Sequence, residues 1–314
     1  MTYADAGKSA LAESMRADPT IWAVGEDLGR GGVFGQYMGL EDEFGPERIV
    51  SAPISEAAIM GSAVGGALTG TRPVVELRFA DFALCAVDEM VNQAAKARYM
   101  FGGQAKVPLV IRQPSGMWRS SAAQHSQMLE AWYAHIPGMV VIMPSTPADN
   151  YGLLKAAIEC DDPVVYMEHK DLWGLEGEVP PDHKVEIGKA SVVSKGSDVT
   201  IVTWSKSRHV ATEAMSKLAG VSVELIDLRS LWPWDRDCVL SSAARTGHLL
   251  VAHEAVRDGG FGAEVVATAA EEIPGLKVAR LGAPRIPIPY APPLEDTVRV
   301  TAEDIAAAVK RIAG

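Results

Sequence analysis

The sequence predicts an α/β protein made of two doubly wound domains. Three observations lead there. Short apolar runs alternate with helical stretches along the first part of the chain, the composition shifts between Gly174 and Gly188, and a second alternation follows to the C-terminus. Short apolar runs without a polar alternation are what parallel strands need when helices cover both faces. Strand–helix repetition then winds them into open sheets.

The elements follow in order. Ala4 to Arg16 is amphipathic and predicts a helix, and Ile21 to Val24 a short strand. Gly25 to Gly35 holds five glycines and reads as a loop. Pro73 to Leu77 reads as a buried strand and Cys85 to Met100 as a helix. Pro108 to Arg112, Met139 to Met143 and Pro163 to Glu168 read as further buried strands. Ser145-Thr146-Pro147 is a helix start, a hydroxyl cap with proline behind it, and that helix runs on through Ile158. Pro180-Pro181, three glycines and many charges mark the stretch from Gly174 to Gly188 as a connection. The division drawn from it is 1–175 for the first domain, 176–188 for a linker and 189–314 for the second domain. In the second domain Asp198 to Trp204, Val221 to Leu228 and His248 to His253 read as strands. Arg208 to Ala219, Phe261 to Glu272 and Thr301 to Ala313 read as helices, the first stopped by Gly220 and the last opened by a Thr301/Asp304 capping box.

Composition removes several functions. The 314 residues carry a net charge of −11, which disfavours a nucleic-acid or anionic-membrane surface as the main partner. Cys85, Cys160 and Cys238 are odd in number and far apart, so neither a disulfide framework nor a Cys-x-x-Cys metal site follows. No apolar run approaches the ~20 residues a membrane span needs, and no secretory leader is visible. A cytoplasmic protein is expected. No Walker loop, no Gly-x-Gly-x-x-Gly behind a strand, no Gly-x-Ser-x-Gly elbow and no paired-His zinc spacing occurs.

Four side chains stand out. Glu56 precedes the uncharged, Ala- and Gly-rich run Ala57 to Gly70. A carboxyl in so apolar a setting is a candidate for proton transfer; it is equally a first-turn glutamate on a helix dipole, with Ser55 as N-cap. His125 lies past the strand ending at Arg112, where α/β proteins place their sites. Its imidazole can exchange protons near neutral pH or simply be hydrogen-bonded in its loop. Phe82 could offer a stacking face or be core. Arg78 interrupts an apolar run and calls for a salt bridge or a bound anion.

The ordered motifs resemble a known family. Gly25-Glu26-Asp27-Leu28-Gly29, Pro53-Ile54-Ser55-Glu56, Arg72-Pro73-Val74-Val75-Glu76 and Phe79-Ala80-Asp81-Phe82 come first. Gln124-His125-Ser126-Gln127, His135-Ile136-Pro137-Gly138, His253-Glu254, Gly259-Gly260-Phe261-Gly262 and Pro287-Ile288-Pro289-Tyr290 follow. Together they resemble, over nearly the whole chain, the β subunit of the thiamine-diphosphate-dependent 2-oxo acid dehydrogenases, pyruvate, branched-chain and acetoin enzymes included.

The resemblance implies a pyrimidine-binding thiamine-diphosphate domain followed by a transketolase C-terminal-like domain. It implies an α2β2 heterotetramer with thiamine diphosphate between α and β, and an α subunit that holds Mg²⁺ and the diphosphate. A lipoyl acyltransferase core bound through the C-terminal domain and a small 2-oxo acid substrate are implied too. Glu56 matches the activating glutamate, Phe82 the aromatic packed on the pyrimidine, and His125 the histidine that assists transfer to the lipoyl arm. Arg78, where an uncharged residue is commoner, falls beside the cofactor. Leu109, Ala157, Ile158, Cys160 and Asp162 match positions whose backbone carbonyls hold K⁺. One stretch departs: Gly116-Met117-Trp118-Arg119-Ser120-Ser121 is bulkier and more basic than the Gly-rich family pattern. It is expected either to narrow and re-charge the substrate entrance or to face the α subunit. Two rivals share the features: the C-terminal half of a split transketolase, and a non-catalytic interaction subunit.

Overall fold

The computed structural model describes all 314 residues, which group into two compact units. The first comprises Met1–Ser115 and Trp132–Ile187; the second comprises Gly116–Ala131 and Gly188–Gly314. The division drawn at 175 and 189 is linear in the chain, whereas the segment carrying His125 groups with the second unit. Contacts between segments distant in sequence leave no local composition signal, so this grouping was invisible in the sequence.

Unit 1 opens with α1 (Tyr3–Ala17), capped by Thr2, whose hydroxyl accepts the Asp5 N–H. Its elements continue β1 (Ile21–Glu26), α2 (Leu40–Phe44), β2 (Ile49–Ala52), α3 (Glu56–Leu68), β3 (Arg72–Glu76), α4 (Ala95–Met100), β4 (Val110–Ser115), α5 (Glu130–Ala134, crossing the unit boundary), β5 (Val140–Ile142), α6 (Pro147–Glu159) and β6 (Val164–His169). The strands pair in parallel in the order β5-β6-β4-β3-β1-β2. Both central strands β4 and β6 are buried at every residue, as expected where helices cover both faces. Thr146 and Pro147 start α6 as predicted.

Several expectations need correction. Ser55 precedes α3 but caps nothing; its hydroxyl donates to the Pro53 carbonyl instead. Gly25 lies inside β1 rather than in a loop, and the strand needs glycine there because a Cβ would come within 2.6 Å of the Glu76 carbonyl oxygen. The stretch Cys85 to Met100 is not one regular helix: a 3₁₀ segment (Phe82–Ala86) and a π segment (Glu89–Ala94) precede α4. Strand β2, at the sheet edge, went unnoticed because only its first residue is fully buried.

Unit 2 contains β7 (Ser191–Ser194), β8 (Val199–Thr203), α7 (Lys206–Met215), β9 (Val223–Asp227), β10 (Ser230–Trp232), α8 (Arg236–Thr246), β11 (His248–Val256), α9 (Gly262–Glu272), β12 (Lys277–Ala283), α10 (Pro292–Val298) and α11 (Ala302–Ala313). Its sheet runs β12-β11-β8-β9-β7, parallel except for the edge pair β7–β9. The helix expected to end at Ala219 stops at Met215 and hands over to turns before Gly220, whose φ is 78°. The Thr301/Asp304 capping box is present in full. No helix is long and apolar enough to cross a membrane.

Candidate functional site

Glu56 is the first residue of α3, half-buried, and its side chain has no hydrogen-bond or ion-pair partner in this chain. The helix behind it brings no other charge, and its outer residues Ala57, Ala58, Gly61, Ser62, Gly65 and Leu68 lie exposed. First-turn N–H groups and the helix dipole favour negative charge at such a position. Packing of α3 against β3 and against the 3₁₀ segment places the helix beside the segment that begins at Phe82. Phe82 is half-buried and meets Phe79 edge to face, with centroids 5.4 Å apart. Phe79 in turn lies under the buried Lys170 ammonium, 4.8 Å from the ring centre. Arg78 resolves as a salt bridge: its guanidinium donates to Glu26 Oε2 at 3.2 Å, and Glu26 is buried.

Behind these residues lies a charged cluster the sequence did not single out. Arg112, 1% exposed, makes a two-pronged bond to Glu168, both contacts at 2.8 Å. Its Nε also lies 3.9 Å from Glu76 Oε2. Glu76 accepts from Gln36 at 3.0 Å and from the Tyr37 hydroxyl at 3.1 Å. Burial pushes the Glu76 carboxyl up to about 8, against the lowering influence of Arg112. Glu76, Arg112 and Glu168 stand singly on three strands far apart in the chain, so only the cross-strand register of β3, β4 and β6 reveals the group.

His125 lies in unit 2, on the segment Gly116–Ala131. It is half-buried, and its backbone N–H donates to the Ala122 carbonyl at 3.4 Å. Gly116, Arg119, Ser120 and Ala122 all have positive φ, so the segment forms a strained arch. A cavity of about 570 Å³ opens beneath it, lined by Met117, Gln124, Gln127, Glu254, Arg285 and Ile288 among others. Glu254 Oε1 accepts the Met117 N–H at 2.6 Å. At the other end, buried Glu130 accepts the Trp204 indole N–H at 3.2 Å. Burial raises the Glu130 carboxyl to about 7, with the Glu254 charge adding to the rise. The His253-Glu254 and Gly-rich motifs find a physical reason here. A Cβ at Gly260 or Gly262 would come within 2.6 or 2.9 Å of the His253 ring.

The five positions matched to K⁺ do not form an open cage. The Leu109 carbonyl accepts from Val164 N–H at 2.8 Å, and the Ala157 carbonyl from Cys160 N–H at 3.2 Å. The carbonyls of Ile158 and Cys160 both accept from Arg72 Nη1, at 3.0 and 3.2 Å. Asp162 is ion-paired with Arg98 at 2.5 Å. A guanidinium already stands on two of the five carbonyls, so these residues do not fit a further cation.

Glu56, Arg78 and Phe82 thus belong to unit 1 and His125 to unit 2. Residues 1–174 match the transketolase pyrimidine-binding domain and 188–305 the transketolase C-terminal domain. Fold and site therefore define a two-domain chain of the transketolase type. A solved split-gene transketolase, described as an inactive β4 tetramer, superposes with a TM-score of 0.83 at 26% identity, covering 100% of this chain and 98% of that one. Sequence similarity goes further. The chain is 40% identical to the 2-oxoisovalerate dehydrogenase subunit beta of Bacillus subtilis, over 100% of this chain and 98% of the relative. It is 42% identical to the acetoin:2,6-dichlorophenolindophenol oxidoreductase subunit beta of Cupriavidus necator, over 96% and 94%. It is 41% identical to a mitochondrial pyruvate dehydrogenase E1 component subunit beta of rice, over 99% and 86%. The chain belongs to this family, the β subunits of the first component of the 2-oxo acid and acetoin dehydrogenases.

Proposed function

We propose that this chain supplies the pyrimidine-binding half of a thiamine-diphosphate-dependent 2-oxo acid (or acetoin-type) dehydrogenase. It works in the cytoplasm, only with an α subunit, in an α2β2 assembly. The observation that carries the reading is Glu56: a half-buried carboxyl, without a protein partner, at the head of a helix that brings no other charge. Such a group fits a ligand that offers a hydrogen-bonding nitrogen.

Thiamine diphosphate, when bound, supplies the electron sink for decarboxylation or C–C cleavage. Glu56 would hold its pyrimidine by a hydrogen bond to a ring nitrogen. Phe82 would pack on the ring, and Arg78 would set the charge beside it while tied to Glu26. His125 would hold or deliver a proton during transfer to the lipoyl arm of an acyltransferase core, which the C-terminal domain engages. Mg²⁺ and the diphosphate fall to the α subunit. The exposed small-residue face of α3, with Ile54 75%, Tyr99 86% and Met100 72% exposed nearby in sequence or on the adjoining helix, supports a partner chain there.

The test is CO₂ release from a panel of 2-oxo acids by the reconstituted α/β enzyme. Glu56→Gln is expected to lower it by ~10²–10⁴-fold, with the assembly intact by sedimentation. Unchanged turnover would leave a non-catalytic interaction subunit. The greater sequence identity to the dehydrogenase subunits favours this reading over a split transketolase; ketol transfer between phosphosugars without CO₂ release would reverse that.

A further inference from the structure

The arch that carries His125 is held at both ends by unit 2, and we propose that Glu254 is the positioning residue that sets its geometry. This inference rests on the function proposed above.

The need for a clamp follows from the backbone. Arg119, Ser120 and Ala122 have φ of 48°, 56° and 65° without being glycine. Such residues persist only where the surroundings impose them. The Ser121 N–H and hydroxyl both reach the Trp118 carbonyl, and Arg119 stacks over Trp118 at 4.8 Å. These contacts tighten the turn itself.

Ties to regular elements of unit 2 are added at both ends. Met117, 1% exposed, is gripped on both its backbone groups: its N–H by Glu254 Oε1 at 2.6 Å, its carbonyl by Arg299 Nη1 at 3.5 Å. Arg299 is itself held by Glu295 on α10. At the far end, Trp204 holds Glu130. Glu254 lies where β11 loses register with β12, between Ala252 and Val256. Irregularities of this kind re-aim side chains out of the ladder, and here the re-aimed side chain is the one that reaches the arch. A bond from an amide to a carboxylate is stronger than one between neutral groups, and it fixes the Met117 end of the strained segment.

His125 is eight residues from Met117 along the arch. Loss of the Glu254 anchor moves His125 while leaving Glu56 and its helix untouched. The half-reactions should then separate. CO₂ release coupled to 2,6-dichlorophenolindophenol should persist, and transfer to oxidised lipoamide should fall.

The experiment uses the reconstituted α/β enzyme with Glu254→Ala and Glu254→Gln, and His125→Ala in parallel. Amide exchange at Met117 and across Trp118–Leu129 is the direct readout. Glu254→Ala is expected to speed it about 10–100-fold and to lower lipoamide transfer by up to ~10²-fold, with dye-coupled turnover within about 3-fold of the parent. Glu254→Gln, whose amide oxygen still accepts the Met117 N–H, is expected to restore both. Unchanged exchange in Glu254→Ala overturns the clamp, and so does an equal fall in both half-reactions with no rescue by Gln. If His125→Ala transfers normally while exchange still responds to Glu254, the function proposed for His125 fails and the positioning role falls with it, but the clamp itself stands.

Discussion

Trp204 lies parallel to His253, the two ring centroids 5.1 Å apart and the planes inclined by 18°. The imidazole is fully buried between that indole and the glycines at 260 and 262, with Nδ1 on the Ala255 carbonyl and Nε2 unpartnered. Burial holds it down to about 4, so it is neutral in the fold. The unfolded chain binds a proton near 6.5 that the folded chain refuses until about 4. The stabilisation is therefore complete above pH 6.5 and is lost as pH falls through that window, by an amount on the order of 3 kcal/mol. Urea unfolding between pH 4 and 7 should show a shallower pH slope for His253→Gln than for the parent. Parallel slopes would show that the ring is not the group responsible.

Glu76 contributes with the opposite sign. Its folded carboxyl sits near 8 because burial disfavours its charge, with Arg112 opposing and Glu168 reinforcing the rise. The folded chain keeps a proton that the unfolded chain releases near 4.5, so this contribution is full at low pH and is lost as pH rises through about 8. Glu76→Gln should keep an acceptor oxygen for Gln36, turn its amide N–H toward the Tyr37 hydroxyl oxygen as acceptor, and gain on the parent by more than about 1 kcal/mol between pH 6 and 9. A constant difference across that range would count against a protonated Glu76.

Arg72 answers to a different measurement. Its guanidinium bridges the carbonyls of Ile158 and Cys160 and pairs with Asp161 at 2.9 Å. With that charge in place, replacing K⁺ by Na⁺ at equal ionic strength should leave the melting temperature unchanged. Arg72→Met should remove three hydrogen bonds and lower stability by about 2–4 kcal/mol. A K⁺-specific rise in the parent's melting temperature would restore the carbonyl cage.

The contrast between these residues shows what the sequence could express. Central strands and capped helices were legible because β4, β6, α6 and α11 carry their reasons locally: unbroken apolar runs, Thr146-Pro147, and Thr301 with Asp304. Glu56 was legible because an isolated charge before an apolar helix is itself a local signal. Edge strands such as β2 and β12 were not, since partial exposure dilutes their apolar content. Nor were Trp204 and Glu254, which lie more than seventy residues along the chain from the arch they hold. Only the motif order hinted that His253-Glu254 mattered, and it hinted at no reason.

The departure at Trp118 bears on specificity. Trp118 is half-buried and Arg119 is exposed over its ring on the same arch as His125. If this bulk narrows the route to the substrate, Trp118→Gly should change relative kcat/KM between short and branched 2-oxo acids by about 10-fold, the scale of a few methylene contacts. Equal ratios across the panel would assign the pair to contact with the α subunit instead.

Gly138 makes the most severe demand on the backbone outside the arch. Its φ is 100°, and a Cβ there would lie 2.0 Å from the Ala95 carbonyl oxygen, inside any tolerable contact. The neighbouring Pro137 carbonyl accepts from Lys96 at 2.6 Å, so the turn between α5 and β5 is pressed against the start of α4. His135 beside it is exposed, which leaves the His135-Ile136-Pro137-Gly138 motif with a packing reason rather than a chemical one. Gly138→Ala should combine left-handed strain with overpacking and cost about 2–4 kcal/mol. His135→Ala should cost less than about 0.5 kcal/mol and leave turnover of the α/β enzyme intact. Chemical denaturation of the two variants side by side measures the difference, and a loss of activity in His135→Ala at full stability would move that histidine from the turn to the reaction.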